Sequence, residues 1–442
     1  MTDPSTVKPA AQAYLFAFPL VFNLRQVERY VTTGVGSNPA APYNTFSHAR
    51  TLASPADTFV TINNDTVYSM AQVDLGVGPV RLTVPDTDGR YYVLQFVDAW
   101  TDNFAYVGRR ATGTAAGEYL LVPPGWDGES GGTTVIRFPT RIGSIVGRWA
   151  CSGDADLPAV HALQDATTLT QVNPTVAPPA GLPDVAPSGS EALAFFEQAR
   201  VWSQAFPPAP RDQDQLASFA PLGLTGATPI PEQDAELLAA LEAGYDEGRA
   251  ALDRVLHSGN SPEVNGWKQT LHVFDYNLDY FEVGTVDADE WKLTDPKVRL
   301  VERAASAAGG LWGNHGYEAA YEMTYVDADG RQLNGEHTYR LTLSPPPPVG
   351  AFWSLTMYDV PNFFLVENPI RRYSIGDRTP GVIRDDDGGV TVTMSAEEPS
   401  DPTACANWLP APRGDFRPVL RMYNPEPAVF DGTYAIPAIE RI

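Results

Sequence analysis

Residues 58–75 read TFVTINNDTVYSMAQVDL. β-Branched and aromatic residues precede the polar segment Asn63-Asn64-Asp65-Thr66, and a run with alternating apolar residues follows it, which predicts a β-strand on each side. The segment contains neither Gly nor Pro. Two interpretations are open at this point: a polar turn, in which Asn and Asp bond their own backbone, or a set of polar groups directed into a site.

A strand-rich pattern extends around this stretch, from about residue 50 to 150. EYLLV (118–122), TTVIRF (133–138) and SIVGRWA (144–150) each predict a strand. Asp88-Gly89, between RLTV and RYYVLQFV, predicts a β-hairpin because this dipeptide suits a two-residue turn. Ahead of the strands, apolar residues at helical spacing predict a helix over about residues 8–31.

The middle of the chain has a helical pattern. Residues 173–190 are rich in Pro, Gly and Ser and predict a linker. Ser190 then begins one predicted helix, a longer helix follows over about residues 231–259, and Asp295-Pro296 begins a third.

Strands return after about residue 315, and Asp329-Gly330 and Asp387-Gly388 predict two further hairpins. The expected fold class is therefore α+β and β-rich, with two antiparallel β modules and an intervening helical region. The C-terminal module has the pattern of a sandwich or a jelly roll. The expected domains are residues 1–175, 176–312 and 313–442.

The charge of the chain limits its partners. It carries 30 basic and 54 acidic side chains and a net charge of −24. Such a surface repels phosphate backbones and anionic lipids, so nucleic-acid and membrane partners are not expected. Solubility is the ordinary consequence of this charge.

The N-terminal apolar stretch AAQAYLFAFPLVFNL predicts neither a membrane span nor a cleaved signal. It is too short to cross a bilayer, and Gln12 and Pro19 interrupt it. A cytoplasmic location is therefore expected. The only cysteines, Cys151 and Cys405, do not suggest a disulfide framework or a zinc site.

Familiar catalytic and cofactor motifs are missing from the sequence. There is no Gly-x-Ser-x-Gly, His-Glu-x-x-His, Walker or dinucleotide-binding signature, so no cofactor is expected. The Asp-Gly segments resemble parts of a calcium loop but lack its full ligand spacing, which favours turns. His315 and Glu318 lie three residues apart, but no third metal ligand is identifiable, so no metal site is expected.

Two segments concentrate chemistry-bearing side chains. QFVDAWTDNFAYVGRR places Asp98, Trp100, Asp102 and Asn103 after a buried strand, with Arg109-Arg110 close behind. Carboxylates in such surroundings are suited to acid–base work. A structural ion pair is the alternative.

The second group lies in LVENPIRRYSIGD and ANWLPAP. Aromatic rings beside amides and guanidinium groups suit a polar ligand or a sugar ring. Strand packing held by Arg–carboxylate pairs is the alternative. The residues of this group are Asn368, Arg371, Tyr373, Asn407 and Trp408.

Taken in order, these motifs resemble a known pair of modules. NNDTVYSMAQVDLGVGP, GRYYVLQFVDAWTDNFAYVGRR and SIVGRWA resemble domain of unknown function 1254, and AYEMTYVDADGRQLNGEHTYRLTL, FWSLTMYD, ENPIRRYSIGD, NWLPAP and LRMYNPEP resemble domain of unknown function 1214. The resemblance implies two β-rich modules with helices around them. Many such proteins carry an export signal, whereas this chain begins directly at the predicted helix. Matching positions are Asn64, Asp65, Tyr68, Asp98, Trp100, Asn103, Arg109, Trp353, Tyr358, Asn368, Arg371, Tyr373, Asn407, Trp408, Arg421 and Tyr423.

The sequence leads to the hypothesis of a cofactor-independent acid–base enzyme of the hydrolase, lyase or isomerase type. It would act on a polar small molecule or carbohydrate in a cleft between the modules. Asp65 and Asp98 would be the acid–base pair, helped by Tyr68 and Arg109. The expected substrate-binding residues are Asn64, Trp100, Asn103, Tyr358, Asn368, Arg371, Tyr373, Asn407 and Trp408.

Two other functions use the same residues. In a non-catalytic binding protein, the aromatic and arginine side chains would hold a small ligand or carbohydrate, and the carboxylates would only brace loops. In the third alternative, the modules mainly form the interface of a homo-oligomer.

Overall fold

The computed structural model describes residues 4–58, 60–173, 177–258 and 261–442. Within these residues the helices are α1 Pro4–Thr32, α2 Leu157–Ala166, α3 Glu191–Ala205, α4 Gln213–Ser218, α5 Ala235–Ser258, α6 Pro296–Gly310 and α7 Pro402–Ala406. The strands up to the linker are β1 Phe46–His48, β2 Thr66–Asp74, β3 Val80–Val84, β4 Tyr92–Asp98, β5 Asn103–Gly108, β6 Gly117–Val122, β7 Thr134–Arg137, β8 Ile142–Ala150 and β9 Thr168–Gln171. The later strands are β10 Glu263–Val264, β11 Trp267–Gln269, β12 Ala319–Met323, β13 Tyr339–Leu343, β14 Val349–Asp359, β15 Ser374–Gly376, β16 Val390–Ser395, β17 Trp408–Pro410, β18 Phe416–Pro425 and β19 Glu440–Arg441.

The N-terminal module consists of two sheets that share one hydrophobic core. Their strand orders are β1-β2-β8-β4-β5 and β7-β6-β3-β9. Alternate residues of each strand point inward, so that Leu82 of one sheet and Phe96 and Trp149 of the other lie in the same buried cluster. The other face of the five-stranded sheet is buried as well, which explains why β4 and β8 contain no exposed residue.

The C-terminal module repeats this arrangement. Its sheets have the orders β10-β11-β12-β18-β14-β15 and β17-β16-β13-β19, and Leu341, Trp353, Met394 and Leu420 contribute to the core between them. The pairs β6–β7 and β16–β17 are parallel, whereas the other strand pairs of both modules are antiparallel. The expected α+β fold with two antiparallel β modules and helices between them is confirmed.

The helices form a third hydrophobic core. Leu20 and Leu24 of α1 pack with Phe196 of α3, Leu241 of α5 and Ala304 of α6. The helix starts follow local sequence signals, because the Ser190 hydroxyl accepts a hydrogen bond from the Leu193 amide and the Asp295 carboxylate caps α6. Among the described helices none is both long and apolar enough to cross a bilayer.

The two modules meet along one seam, between the outer face of the five-stranded sheet and the outer face of the six-stranded sheet. Tyr91 and Tyr106 of the N-terminal module pack there with Tyr317, Phe352 and Tyr423 of the C-terminal half. The Tyr423 and Phe352 rings stack with centroids 4.1 Å apart, and the Tyr91 ring meets Tyr423 edge-on at 5.5 Å. This seam positions the candidate site.

Each of the three predicted Asp-Gly segments forms a turn, but the strands on either side of two of them do not pair as a hairpin. Asp88-Gly89 has the positive φ angles of a tight turn, but it connects β3 and β4, which belong to opposite sheets. The Asp329-Gly330 turn is flanked by an antiparallel bridge between Val326 and Gln332, so a short hairpin forms there, while β12 and β13 beyond it belong to opposite sheets. At Asp387-Gly388 the preceding strand is β15, which pairs with β14, whereas β16 after the turn pairs with β13 of the other sheet. In each case burial on the two faces of a sandwich determines the pairing.

Candidate functional site

A cleft of about 400 Å³ opens at the seam between the two modules. Both modules contribute to its wall, and the C-terminal contribution comes from β14 and from the turn after β15. The lining residues are Thr87, Asp88, Gly89, Arg90, Tyr91, Arg109, Ala150, Ser152, Ala351, Phe352 and Arg378. A cleft between the modules was expected from the sequence, and Arg109 is the predicted site residue that lines it.

Arg378 lines the cleft and lies over the ring of Phe352. Its guanidinium carbon lies 3.4 Å from the centre of the Phe352 ring, and its Nη2 is 3.4 Å from the backbone oxygen of Asp65. Burial lowers the pKa of Arg378, but an arginine remains a cation at ordinary pH. Within the described residues Arg378 makes no ion pair.

The other two arginines of the cleft differ in their partners. Arg90 makes two hydrogen bonds with the Asp156 carboxylate, of 2.6 and 2.7 Å, which neutralise its charge. Arg109 donates to the backbone oxygens of Gly89 and Gly350, at 2.6 and 3.0 Å. Arg109 therefore connects the two modules. Its charge forms no ion pair with a described carboxylate.

The opening motif TINND is a contact between the modules. Ser354 Oγ and Tyr423 OH donate to Asp65 Oδ2 at 2.5 and 3.0 Å, and Asn63 Nδ2 donates to Tyr423 OH at 2.8 Å. Asn63 Oδ1 also accepts from the Asp65 amide at 2.7 Å, which is local turn chemistry. The segment is therefore a polar turn at Asn63 and Asp65, and it is also a set of polar groups directed at the other module. The polar side chains point at the facing sheet, and Asp65 adjoins the cleft through Arg378.

The backbone before Asp65 is held by the six-stranded sheet as well. Tyr358 OH donates to the Ile62 oxygen at 2.6 Å, and Arg421 Nη2 donates to the Thr61 oxygen at 3.1 Å. Arg421 also donates to Tyr358 OH at 2.7 Å. Asn64 turns away from the cleft and donates to the backbone oxygen of Ala53 at 2.5 Å.

A second network crosses the seam behind Tyr91. The Glu318 carboxylate accepts from Tyr91 OH at 2.9 Å and from Arg110 Nε at 2.5 Å. His315 Nδ1 lies 2.9 Å from Tyr106 OH and 3.0 Å from Tyr317 OH. Burial lowers the pKa of His315 to about 3, so its imidazole is neutral. The described residues contain no group of three metal-ligating side chains at this or another place.

The expected pair of Asp65 and Asp98 is not assembled. The backbones of Asp65 and Cys151 are hydrogen bonded, whereas Asp98 lies opposite Gly143, eight residues away along β8. At about 3.3 Å per residue this separation is about 26 Å. The physical reason is strand direction, because β2 and β4 both run antiparallel to β8, and Asp65 precedes β2 whereas Asp98 ends β4.

Asp98 instead belongs to a buried charged cluster under the helices. Its Oδ1 accepts the backbone amides of Trp100 and Asp102, both at 2.8 Å. Arg303 Nη2 lies 2.8 Å from Asp102 Oδ2. Burial, followed by the Asp102 charge, raises the pKa of Asp98. The alternative interpretation of this segment was a structural ion pair. The structure contains such a pair, and it joins Arg303 to Asp102.

The other predicted site residues lie apart from the cleft and make local contacts. Trp100 Nε1 donates to the Phe206 oxygen at 2.7 Å, and Asn103 Nδ2 donates to the Gly313 oxygen at 2.9 Å. Asn407 Nδ2 and Trp408 Nε1 both donate to backbone oxygens of neighbouring segments. These polar groups are therefore occupied within the fold.

The ENPIRRY segment forms a turn. Asn368 donates to the oxygen of Arg372 at 2.9 Å, Arg371 is exposed, and Tyr373 packs beside Tyr358 and Leu365. Tyr68 is different, because its half-buried ring lies in the seam with the Arg148 guanidinium 5.4 Å from its centre. Of the four predicted catalytic residues, Asp65, Tyr68 and Arg109 thus belong to the seam.

Sequence reasoning missed Arg90, Tyr91, Arg148, Phe352 and Arg378. Arg90 and Tyr91 were part of the GRYYVLQF motif, Arg148 lies in SIVGRWA, and Arg378 directly follows IRRYSIGD. The motifs were therefore an available signal. The property that distinguishes Arg148, which is buried, and Arg378, which is partly buried, is a guanidinium without a carboxylate partner among the described residues, and it is visible only in three dimensions.

Two family profiles match the chain. The profile described as Protein of unknown function (DUF1254) matches residues 43–171, and the profile described as Protein of unknown function (DUF1214) matches residues 318–427. Together the matches span more than half of the chain and coincide with the two β modules, as the sequence motifs predicted.

Among solved structures, the chain is similar to the VPA0106 protein from Vibrio parahaemolyticus. The TM-score is 0.75 at 23% identity, with 99% of this chain and 100% of that chain covered, so the likeness shows the fold alone. A putative uncharacterized protein from Burkholderia cenocepacia aligns with a TM-score of 0.42 at 12% identity, covering 99% of this chain and 94% of that one. No curated protein matches the chain.

Proposed function

We propose that this chain, which belongs to the protein family that joins DUF1254 to DUF1214, binds a polar organic anion in the cleft between the two modules. The observation that carries the proposal is the guanidinium of Arg378, which borders the cleft and has no carboxylate partner among the described residues. Asp65 and Asp377 act on the charge of Arg378 from a distance, and a phosphate or carboxylate group of a ligand would pair with it directly.

The charge distribution supports this choice of ligand. The chain as a whole has a net charge of −24, yet five arginines at the seam make no ion pair within the described part of the chain. They are Arg109, Arg148, Arg378, Arg417 and Arg421. Arg109 and Arg378 are the two of these that line the cleft, and their charges attract anions there, whereas the remaining acidic surface repels them.

The cleft wall favours a polar ligand over an apolar one. The aromatic rings of Tyr91 and Phe352 are almost fully buried, and Arg378 covers Phe352. The Ser152 side chain, by contrast, is exposed. Hydroxyl-rich anions such as sugar acids or sugar phosphates match this wall, which agrees with the polar small molecule or carbohydrate expected from the sequence.

Binding is better supported than acid–base catalysis by Asp65 and Asp98. Glycoside hydrolysis by two carboxylates needs them about 5–10 Å apart, and these two are separated by about 26 Å along the sheet. Among the residues that line the cleft there is neither a histidine nor a cysteine. Asp88, which is exposed at the turn, is the only acidic residue of that lining.

Calorimetric titration of the full chain tests the proposal. Glucuronate and glucose 6-phosphate are expected to bind, and glucose serves as the neutral control. Arg378→Gln should weaken glucuronate binding about tenfold or more, because a charge-assisted contact is lost. Arg384→Gln is the matched control, since Arg384 is exposed and donates to the backbone oxygen of Asp377 at 2.8 Å without lining the cleft.

Affinity for glucuronate should also fall as salt concentration rises, because the attraction is between charges. Equal binding of glucose and glucuronate, or an Arg378→Gln variant that binds glucuronate as tightly as the wild type, would contradict the proposal.

A further inference from the structure

We infer that the seam contains a second site, at Arg148 and Asn314, which binds the carboxylate group of a small organic acid with an apolar body. Arg148 lies on β8, two residues before Ala150, and Asn314 lies between α6 and β12. Neither residue lines the cleft described above. The site is therefore separate from that of the proposed function and does not depend on it.

The first argument is the charge of Arg148. Its side chain is buried, with 6% of the residue exposed. Its hydrogen bonds go to Gln95 Oε1 at 2.8 Å, Asn314 Oδ1 at 3.2 Å and the Trp312 oxygen at 2.7 Å, which are all neutral acceptors. No ion pair with a described residue accompanies them. A buried cation without a counter-ion is costly, and arginine cannot relieve the cost by losing its proton.

The second argument is a pair of unused donors. Arg148 Nε and Asn314 Nδ2 are buried, and no described atom accepts a hydrogen bond of good geometry from either, although the Tyr68 hydroxyl lies near Arg148 and the Tyr321 hydroxyl near Asn314. The orientation of the amide is fixed, because Asn314 Oδ1 accepts from a guanidinium, which can only donate. Nδ2 is thus the free end of a residue that is 1% exposed. Free donors beside one positive charge suit an acceptor that carries a single negative charge, such as a carboxylate.

The third argument is the surroundings, which are aromatic and apolar. The Tyr68 ring centre lies 5.4 Å from the Arg148 guanidinium, and Trp312 packs against Tyr30 with ring centres 5.5 Å apart. Met70 belongs to the same hydrophobic cluster. Tyr30 and Tyr68 are half-buried and form the part of these surroundings nearest to solvent. An aliphatic or aromatic monocarboxylate fits a site with one charged end and apolar sides.

A phosphate group fits less well than a carboxylate. A phosphate carries up to two negative charges and three oxygens, whereas the site offers one guanidinium and two free donors. The two probes that distinguish these sources are benzoate and inorganic phosphate.

The test is titration of the full chain with benzoate, inorganic phosphate and glucuronate. The informative variant is Asn314→Asp, which keeps the oxygen that faces Arg148, removes the Nδ2 donor and places a negative charge beside the guanidinium. Wild type should bind benzoate more tightly than phosphate. The variant should bind benzoate about tenfold to a hundredfold more weakly. Its melting temperature should equal or exceed that of the wild type, because Arg148 gains a counter-ion.

Arg378→Gln serves as the control, and its benzoate affinity should equal that of the wild type even where its glucuronate affinity falls. The inference is overturned if benzoate does not bind at tens of millimolar, if phosphate binds more tightly, or if Asn314→Asp binds benzoate as well as the wild type. It is also overturned if Arg378→Gln abolishes benzoate binding and Asn314→Asp does not, because benzoate then occupies the cleft. If glucuronate does not bind at the cleft, the expected results with benzoate and phosphate stay the same.

Discussion

Asp65 and Ser354 hold the two modules together through a hydrogen bond of 2.5 Å between Ser354 Oγ and Asp65 Oδ2. Asp65 is 4% exposed, so this carboxylate depends on protein donors rather than on water. The contact is the structural role of the NNDT motif, and it lies next to the cleft in which Arg378 is the principal cation.

Ser354→Ala should therefore lower the free energy of unfolding by about 2 kcal/mol, because a buried acceptor loses a donor. Chemical denaturation measures this change. Ser374→Ala is the control, since Ser374 Oγ lies 3.4 Å from Asn64 Oδ1 and should contribute little. Equal losses of unfolding free energy in the two variants would show that the Ser354–Asp65 hydrogen bond contributes no more than the Ser374–Asn64 contact.

Arg303→Met should destabilise the protein by about 3 kcal/mol or more, because Asp102 would remain buried without its cation. The matched control is Arg331→Met, which removes the exposed ion pair with Asp329 and should have almost no effect. Thermal and denaturant unfolding measure both. Tolerance of Arg303→Met would mean that Asp102 is protonated in the folded protein.

Glu322 predicts a dependence of stability on pH. Burial raises its pKa from 4.5 to about 7, so the folded state favours the protonated form. Below pH 4.5 the side chain imposes no ionisation cost; the cost grows from pH 4.5 to 7 and is fully present above pH 7. Glu322→Gln should therefore stabilise the protein at pH 8 by about 3 kcal/mol relative to wild type.

The gain from Glu322→Gln should disappear near pH 4, where both side chains are neutral. Denaturation at several pH values measures the difference. Glu440→Gln, at an exposed position of β19, should show no such trend. A gain that is independent of pH would assign the effect to packing instead of ionisation.

Gly244→Ala should destabilise the protein, contrary to the usual preference of helices for alanine. A Cβ at this position of α5 would lie 2.3 Å from Ala10 Cβ of α1, so the two helices would have to separate, at a cost of about 1–3 kcal/mol. Gly309→Ala in α6 is the control. Its Cβ would meet only the flexible end of Leu256 at 3.2 Å, and a small gain is expected.

The local structure was largely predictable from the sequence, whereas the strand pairing was not. The Ser190 and Asp295 caps and the turn at Asp88-Gly89 depend on neighbouring residues, and the structure contains all three. Whether a strand after such a turn pairs with its predecessor or joins the opposite sheet depends on which face each strand buries. That is a property of the whole sandwich.

The candidate site shows the same division. Motif matching identified Asp65, Tyr68 and Arg109, which do lie at the seam. Pairing Asp65 with Asp98 failed because proximity required the direction of two strands relative to β8. Arg148 and Arg378 were not identified, since a sequence does not show which arginines lack a carboxylate partner.

The seam also affects how the chain folds while it is being synthesised. Asp65 accepts hydrogen bonds from residues 289 and 358 positions later in the chain, Ser354 and Tyr423. While the ribosome is still producing the C-terminal half, the N-terminal module has emerged with Asp65 and Arg148 open to water and to other chains. β18 is the strand that closes the seam, and it is synthesised only after every strand of the N-terminal module. Chaperone dependence of a nascent chain that stops before β18 is the expected consequence.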